Sequence, residues 1–143
     1  MSEVWSHEVM HRVVYVSDAV GTAGASILSI AQILGVSYIN NRRDQITGLL
    51  VCHRGQFLQV IEGRRADLDR LMRRLHEDPR HTHLRLRFDE AVKARRFGDE
   101  PLAQVEVVDE VALLIGDDRL EQLDLLRIEA VFANGAARTS VAA

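Results

Sequence analysis

The sequence predicts an α+β fold: a single sheet laid out as βαββαββ with two helices on one face, followed by a C-terminal helical extension. Three observations carry this. Runs of β-branched or alternating apolar residues recur at 12–17, 46–52, 56–63 and 83–92. Stretches of helical spacing separate the first run from the second and the third from the fourth. Beyond residue 108 a leucine-rich segment again repeats its apolar residues at helical spacing.

"RVVYVS" (12–17) is a β-branched run that stops at "DAVGTAG", whose glycines and polar residues mark a loop. From Ala25 onward Ile27, Ile30, Ile33, Leu34 and Ser37 fall at helical spacing, until the polar "NNRRDQ" ends the pattern. "ITGLLVC" (46–52), the turn "HRG" and "QFLQVIEG" (56–63) form a hairpin pattern with glycine last in the loop. Leu68, Leu71, Met72 and Leu75 then occupy one helical face among arginines and acids. Asp78-Pro79 stops this second helix, because a residue before proline disfavours helical backbone.

"HLRLRFDEAV" (83–92) alternates Leu84, Leu86 and Phe88 against Arg85, Arg87 and Asp89, which predicts a strand with one wet face. A fifth strand is expected in "LAQVEVVD" (102–109), and Pro101, lacking a ladder donor, predicts that it is an edge or starts late. Helices after strands one and three make this a ferredoxin-like arrangement. The remainder reads as two helical pieces broken at Gly116, the second ending at Asn134-Gly135. Leu120, Leu123, Leu125, Leu126, Ile128, Val131 and Phe132 make that second piece apolar over more than one face, so it must pack on the domain, on a copy of itself or on a partner. The expected division is a domain over 11–108, an extension over 109–135 and a flexible tail over 136–143.

A net charge of -3 gives no whole-molecule attraction to nucleic acid or an anionic membrane. The arginines from Arg64 to Arg80 are interleaved with Glu62, Asp67, Asp69, Glu77 and Asp78, which predicts a solvated helix face. The one cysteine, Cys52, excludes an intramolecular disulfide and suits a reducing compartment. His76, His81 and His83 have no carboxylate or cysteine at a metal-binding spacing, so no metal is expected. Neither a signal peptide nor a membrane span is expected, and the expected location is the cytoplasm.

Gln59 is the residue that strand chemistry does not explain. Alternation puts Phe57, Gln59 and Ile61 on one face and Leu58, Val60 and Glu62 on the other, so a polar amide shares a face with two large hydrophobes. A buried amide left without partners costs roughly 1–3 kcal/mol. Something must hydrogen-bond it.

Taken in order, "VVYVS" with Tyr15, "INNRRDQITGLL" with Asn40 and Asn41, "FLQVIEG" with Gln59, "DPRH" with Arg80 and His81, and "KARRF" ending at Phe97 resemble the BLUF family of flavin-binding blue-light sensors, over roughly residues 11 to 108. The resemblance implies a non-covalently bound flavin, FAD with FMN or riboflavin tolerated, lying between the two helices. It implies that Tyr15 hydrogen-bonds Gln59, which in turn reaches the flavin. Asn41 is implied at the pyrimidine edge with Asn40 close by, Arg80 and His81 at the ring edge or side chain, and Ile33 and Leu75 on the ring faces. A phenol can yield an electron and a proton to photoexcited flavin, and an amide can reverse its hydrogen-bonding pattern by rotation or tautomerisation without moving the backbone. Tyr15 is thus the implied donor and Gln59 the implied switch. Cys52, at the end of the second strand, is read as a small buried hydrophobe rather than an adduct-forming thiol.

This chain departs from the family pattern after Phe97. Where the family usually has a tryptophan or serine and then a methionine on the fifth strand, Glu100, Pro101 and Leu102 stand here, with Leu102 at the methionine position. The altered positions bear on the route from Gln59 to the C-terminal helices more than on flavin binding. The expected function is a stand-alone photoreceptor without enzymatic activity, signalling to a downstream protein in trans or through a change in homo-oligomeric assembly. The alternative is a flavin-binding interaction module uncoupled from light. An acylphosphatase on the same scaffold is excluded because "DAVGTAG" has no arginine.

Overall fold

The computed structural model describes residues 9–20, 38–79, 81–97 and 99–142, with backbone alone from 137 onward. Strand β1 spans Met10–Ala19, β2 Thr47–His53, β3 Gln56–Arg64, β4 His81–Val92 and β5 Ala103–Gln104. Helix α1 is described over 38–43, α2 spans Arg65–Glu77, α3 Asp109–Ile115 and α4 Leu125–Ala142, with a 3-10 turn at Leu120–Gln122. The first predicted helix therefore lies largely outside the described residues.

The strands form one sheet in the order β4-β1-β3-β2-β5, all neighbours antiparallel except the parallel pair β2 and β5. The β2–β3 hairpin closes through Arg54 and Gly55, at φ 49° and 76°. Two successive left-handed residues match the right-handed twist of the flanking strands, which is why glycine is last in the turn.

Alternation along the strands gives the sheet two buried faces. On one, Val13 and Ile61 pack with Leu68 and Leu71 of α2, and Met72 and Leu75 lie against them. On the other, Val14, Val16, Leu49, Val51, Leu58 and Val60 pack against Val111, Ile115, Leu120, Leu123, Ile128, Val131 and Phe132. The apolar extension thus covers the sheet of its own chain. Each such large side chain contributes about 1.5–3 kcal/mol when fully buried, so α3 and α4 share one core with the strands.

Three expectations are corrected. The fifth strand is two residues long: Val105 N still bonds Leu50 O at 2.8 Å, but Val108 N turns back to Glu106 O and Ala112 N bonds Val108 O, starting α3. The last helix does not stop at Asn134-Gly135 but continues to Ala142. Gly135 is there for close approach: a Cβ on it would meet Val105 Cγ2 at 2.3 Å. The alternation in β4 is broken by a register shift between Val14 and Tyr15, so Phe88 packs on the extension side while Leu86 is 56% exposed. Arg87, expected on the wet face, donates to the backbone carbonyls of Glu121 and Leu123.

The arginine-rich helix is only partly the solvated face expected: its arginines are paired with acids, but Asp67 is 4% exposed and Glu62, just before the helix, is fully buried. Asp67 pairs with Arg64 and Arg70, and Arg65 with Asp69 and Asp89. Among the described residues no helix is long and apolar enough to cross a membrane.

Candidate functional site

Lateral pairing places Tyr15 of β1, Gln59 of β3 and Leu50 of β2 side by side on the α2 face. The partner of the unexplained amide is Tyr15, whose hydroxyl donates to Gln59 Oε1. Both residues are buried, at 2% and 5% exposure. Burial, reinforced by the nearby Asp78 and Cys52, pushes the Tyr15 phenol well above its ordinary value. At physiological pH it is a neutral donor with its proton committed to Gln59.

Asn41 closes the neighbouring edge of this face. It sits at the end of α1 with no exposed surface. Its Nδ2 donates to Pro101 O at 2.9 Å, which fixes the orientation of the amide and leaves Oδ1 buried with no hydrogen-bond partner among the described residues. An orphaned acceptor of this kind costs roughly 1–3 kcal/mol until a donor is supplied. Asn40, one residue earlier, is half-buried, and its carbonyl accepts Asp44 N at 3.1 Å.

His81 opens β4 beside the pair, its ring 6.5 Å from that of Tyr15 and 6.3 Å, edge-on, from that of Phe57. Its Nε2 lies 2.7 Å from Leu75 O, which can only accept, so Nε2 carries the proton; Nδ1 then accepts the Ser17 hydroxyl at 2.8 Å. The imidazole ties the end of α2 to β1, and Leu75 is half-buried on the same helix. Ile33 and Arg80 lie outside the described residues.

The three departing positions line the same region. Glu100 O accepts Gly48 N at 3.1 Å, Pro101 O holds Asn41, and Leu102 packs on Leu50 and Phe57, with Cys52 against the cluster. Burial pushes the Cys52 thiol up to about 12, so it is not a thiolate nucleophile at neutral pH.

Among the buried polar residues to which the sequence assigned no role are Glu62, expected on a solvated face, and Gln56. Glu62 has no exposed surface, and its carboxylate accepts Arg12 Nε and the backbone N–H groups of Arg96 and Phe97, each at 2.9 Å. The signal for it was present, since alternation sets this acid beside Leu58 and Val60. Gln56 sits at the start of β3, where Oε1 accepts Leu120 N at 2.9 Å and Nε2 donates to Asp18 Oδ1 at 3.2 Å. Nothing local in the sequence marks it.

The face offers an unsatisfied acceptor at Asn41, a tyrosine–glutamine pair and an apolar wall of Leu50, Phe57 and Leu102. A flavin fits that donor and acceptor set: its pyrimidine ring carries an N–H for Asn41 Oδ1, and the rest of the tricycle is flat and largely apolar. No group of three or more metal-ligating side chains occurs among the described residues.

Comparison with known proteins points the same way. A profile of the BLUF family, "Sensors of blue-light using FAD", matches residues 10–103. Photoactivated adenylate cyclase subunit beta of Euglena gracilis is 30% identical over 90 residues, and that of Euglena longa 29% over 90. These cover 63% of this chain but only 10% of each cyclase subunit. BlrB, a BLUF protein solved in its dark state, superposes with a TM-score of 0.76 at 30% identity, covering 92% of this chain and 98% of that one. The photo-activated state of BlsA superposes with a TM-score of 0.81 over 89% of this chain and 94% of its own, a likeness of fold at 17% identity.

Proposed function

The chain belongs to the BLUF family, sensors of blue light using FAD, and on that premise we propose that Tyr15 and Gln59 are its switching pair, with Asn41 holding the flavin ring. The observation that carries this is the buried Tyr15–Gln59 hydrogen bond beside the orphaned Asn41 Oδ1. FAD, when bound, supplies blue-light absorption and a strongly oxidising excited state. Tyr15 is the electron donor of the pair, and its hydroxyl proton already has Gln59 Oε1 as acceptor. Gln59 then reverses: half a turn of its amide brings Nε2 to the Tyr15 oxygen, which becomes the acceptor, and a tautomeric change has a similar effect. His81, with both nitrogens engaged, fixes the entry to β4, while Ile33, Leu75, Asn40 and Arg80 complete the proposed flavin contacts. Apart from Arg80, read at the ring edge or the side chain, the contacts proposed here are to the ring, so FMN or riboflavin would also serve.

Residues 11–108 are read as the sensor and 109–135 as the transmitter to a protein in trans, in the cytoplasm, with the chain itself acting as a homo-oligomeric sensor rather than an enzyme. Gln56 supports that route, because it joins β3 to Leu120 three residues from Gln59. Exchanging one or two buried hydrogen bonds is worth roughly 1–3 kcal/mol, enough to shift a two-state equilibrium several-fold or more.

The test is an absorption spectrum of the purified protein in the dark and under blue light, with Gln59→Leu beside it. A flavin band that moves reversibly to longer wavelength in the wild type and not in the variant is expected. A normal shift in Gln59→Leu would remove the switch assignment. Light-driven spectral change with no change in association would favour the light-uncoupled module, a reading prompted by the altered Glu100–Pro101–Leu102 stretch.

A further inference from the structure

We propose that Arg95 is a positioning residue for the flavin site, acting through Asn41; this rests on the reading of Asn41 as a flavin ligand. Arg95 lies in the crossover that leaves β4 at one edge of the sheet and reaches β5 at the other. Its guanidinium gathers three acceptors, one each from β2, β3 and the turn before β2. Nη1 donates to Thr47 Oγ1 at 2.9 Å and to Glu62 O at 2.7 Å, and Nη2 donates to Gln45 O at 2.6 Å.

Gln45 belongs to the turn by which α1 passes into β2. Its φ is 56°, a left-handed backbone that a residue with a Cβ adopts reluctantly. In that turn Ile46 N bonds Asn41 O at 2.8 Å and Gln45 N bonds Arg42 O at 3.3 Å. Pinning the Gln45 carbonyl therefore pins the turn that is hydrogen-bonded to Asn41 at the end of α1. The opposite end of the clamp is Glu62 O on β3, the strand that carries Gln59. One side chain sets the distance between the two residues proposed to contact the same ring.

The crossover holds Asn41 twice, since Pro101 O also accepts its Nδ2. The crossover is itself anchored. The Glu62 carboxylate receives Arg96 N and Phe97 N, and the Phe97 ring lies under the guanidiniums of Arg12 and Arg96 at 5.3 and 5.1 Å and against Phe132 of α4 at 5.7 Å. A planar fork with several fixed donors suits three acceptors spread over two strands and a turn, and a lysine would offer one point of charge in their place.

The experiment is a double-mutant cycle on flavin affinity, titrating apo-protein with FAD for wild type, Asn41→Ala, Arg95→Ala and the double variant, with Arg95→Lys in place of Arg95→Ala should the alanine chain not fold. Arg95→Ala is expected to weaken binding about tenfold, the scale of one misplaced hydrogen bond, and to add nothing in the Asn41→Ala background. The carbonyl stretching bands of bound flavin should shift in Arg95→Ala in the direction seen for Asn41→Ala, with Arg95→Lys between that variant and wild type. A role in stability alone would lower the melting temperature and leave those bands in place. Additive losses in the cycle, or unchanged affinity in Arg95→Ala, would overturn the proposal while leaving the flavin reading intact. Failure of the wild type to bind flavin would overturn both.

Discussion

Gln56 Oε1 accepts the backbone N–H of Leu120 at 2.9 Å, so the strand that carries Gln59 is hydrogen-bonded directly to the C-terminal extension. The same amide donates to Asp18 Oδ1 on β1 and, at 3.4 Å, to Glu121 Oε1. Arg87 of β4 secures the adjoining carbonyls of Glu121 and Leu123. Two strands, β3 and β4, thus bond residues 120–123 directly and β1 joins them through Asp18 and Gln56, whereas β5 contributes only two paired residues.

Gln56→Leu is expected to keep the light-induced spectral shift and to lose the light response of the extension. Hydrogen exchange of the 119–123 amides, measured in the dark and under illumination, checks this. The variant should also lose roughly 1–3 kcal/mol of stability, since a buried N–H is left without its acceptor. A light-dependent change in exchange equal to that of wild type would place the output elsewhere.

High pH provides a second expectation. Both Tyr15 and Cys52 have folded pKa values raised by burial, the thiol from 9.0 to about 12. Raised values mean that each group keeps its proton when folded and releases it more readily when unfolded, so stability is whole below the unfolded pKa and falls as pH rises beyond it. Melting temperature should therefore hold to about pH 9 and then drop, first through Cys52 and from about pH 10 through Tyr15 as well. Cys52→Ala should blunt the first part of the decline. An equal decline in that variant would show that the thiol contributes nothing to it.

Alternation alone fixes the face of Gln59, because period-two spacing holds whatever happens at the strand ends, but its partner Tyr15, 44 residues away, was legible only through the resemblance to the BLUF family. Glu62 was equally visible, and what hid its role was distance: its partners Arg96 and Phe97 lie 34 and 35 residues away. The register shift that turns Leu86 outward carries no composition signal, since a bulge is decided by pairing with β1. Gly135 was misread for a physical reason as well. Its sequence context is that of a helix stop, and only the packed Val105 reveals it as a contact point.

Gly135→Ala follows from that contact. A Cβ 2.3 Å from Val105 Cγ2 cannot be accommodated without displacing α4 or the Val105 side chain, so a loss of about 1–3 kcal/mol is expected, the range for overpacking. Val105→Ala in the same chain should recover much of it by removing the obstructing methyls. Chemical denaturation of the two single variants and the pair measures this, and a double variant no more stable than Gly135→Ala would point to helix propensity or strain elsewhere.

Leu102→Met supplies the thioether that the resemblance to the BLUF pattern implies at this position. Leu102 is 6% exposed and packs on Phe57 and on Leu50, the cross-strand neighbour of Gln59. The swap conserves volume, so it should cost less than about 1.5 kcal/mol and leave the fold unchanged. Its effect should fall on the lifetime of the light state, because the longer, polarisable side chain repacks beside the switching amide rather than beside Asn41. Dark recovery of the shifted flavin band, followed after a blue pulse, is the readout. A changed recovery rate with unchanged flavin affinity would locate the departure in switching, and a changed affinity with unchanged recovery would assign Leu102 to cofactor binding.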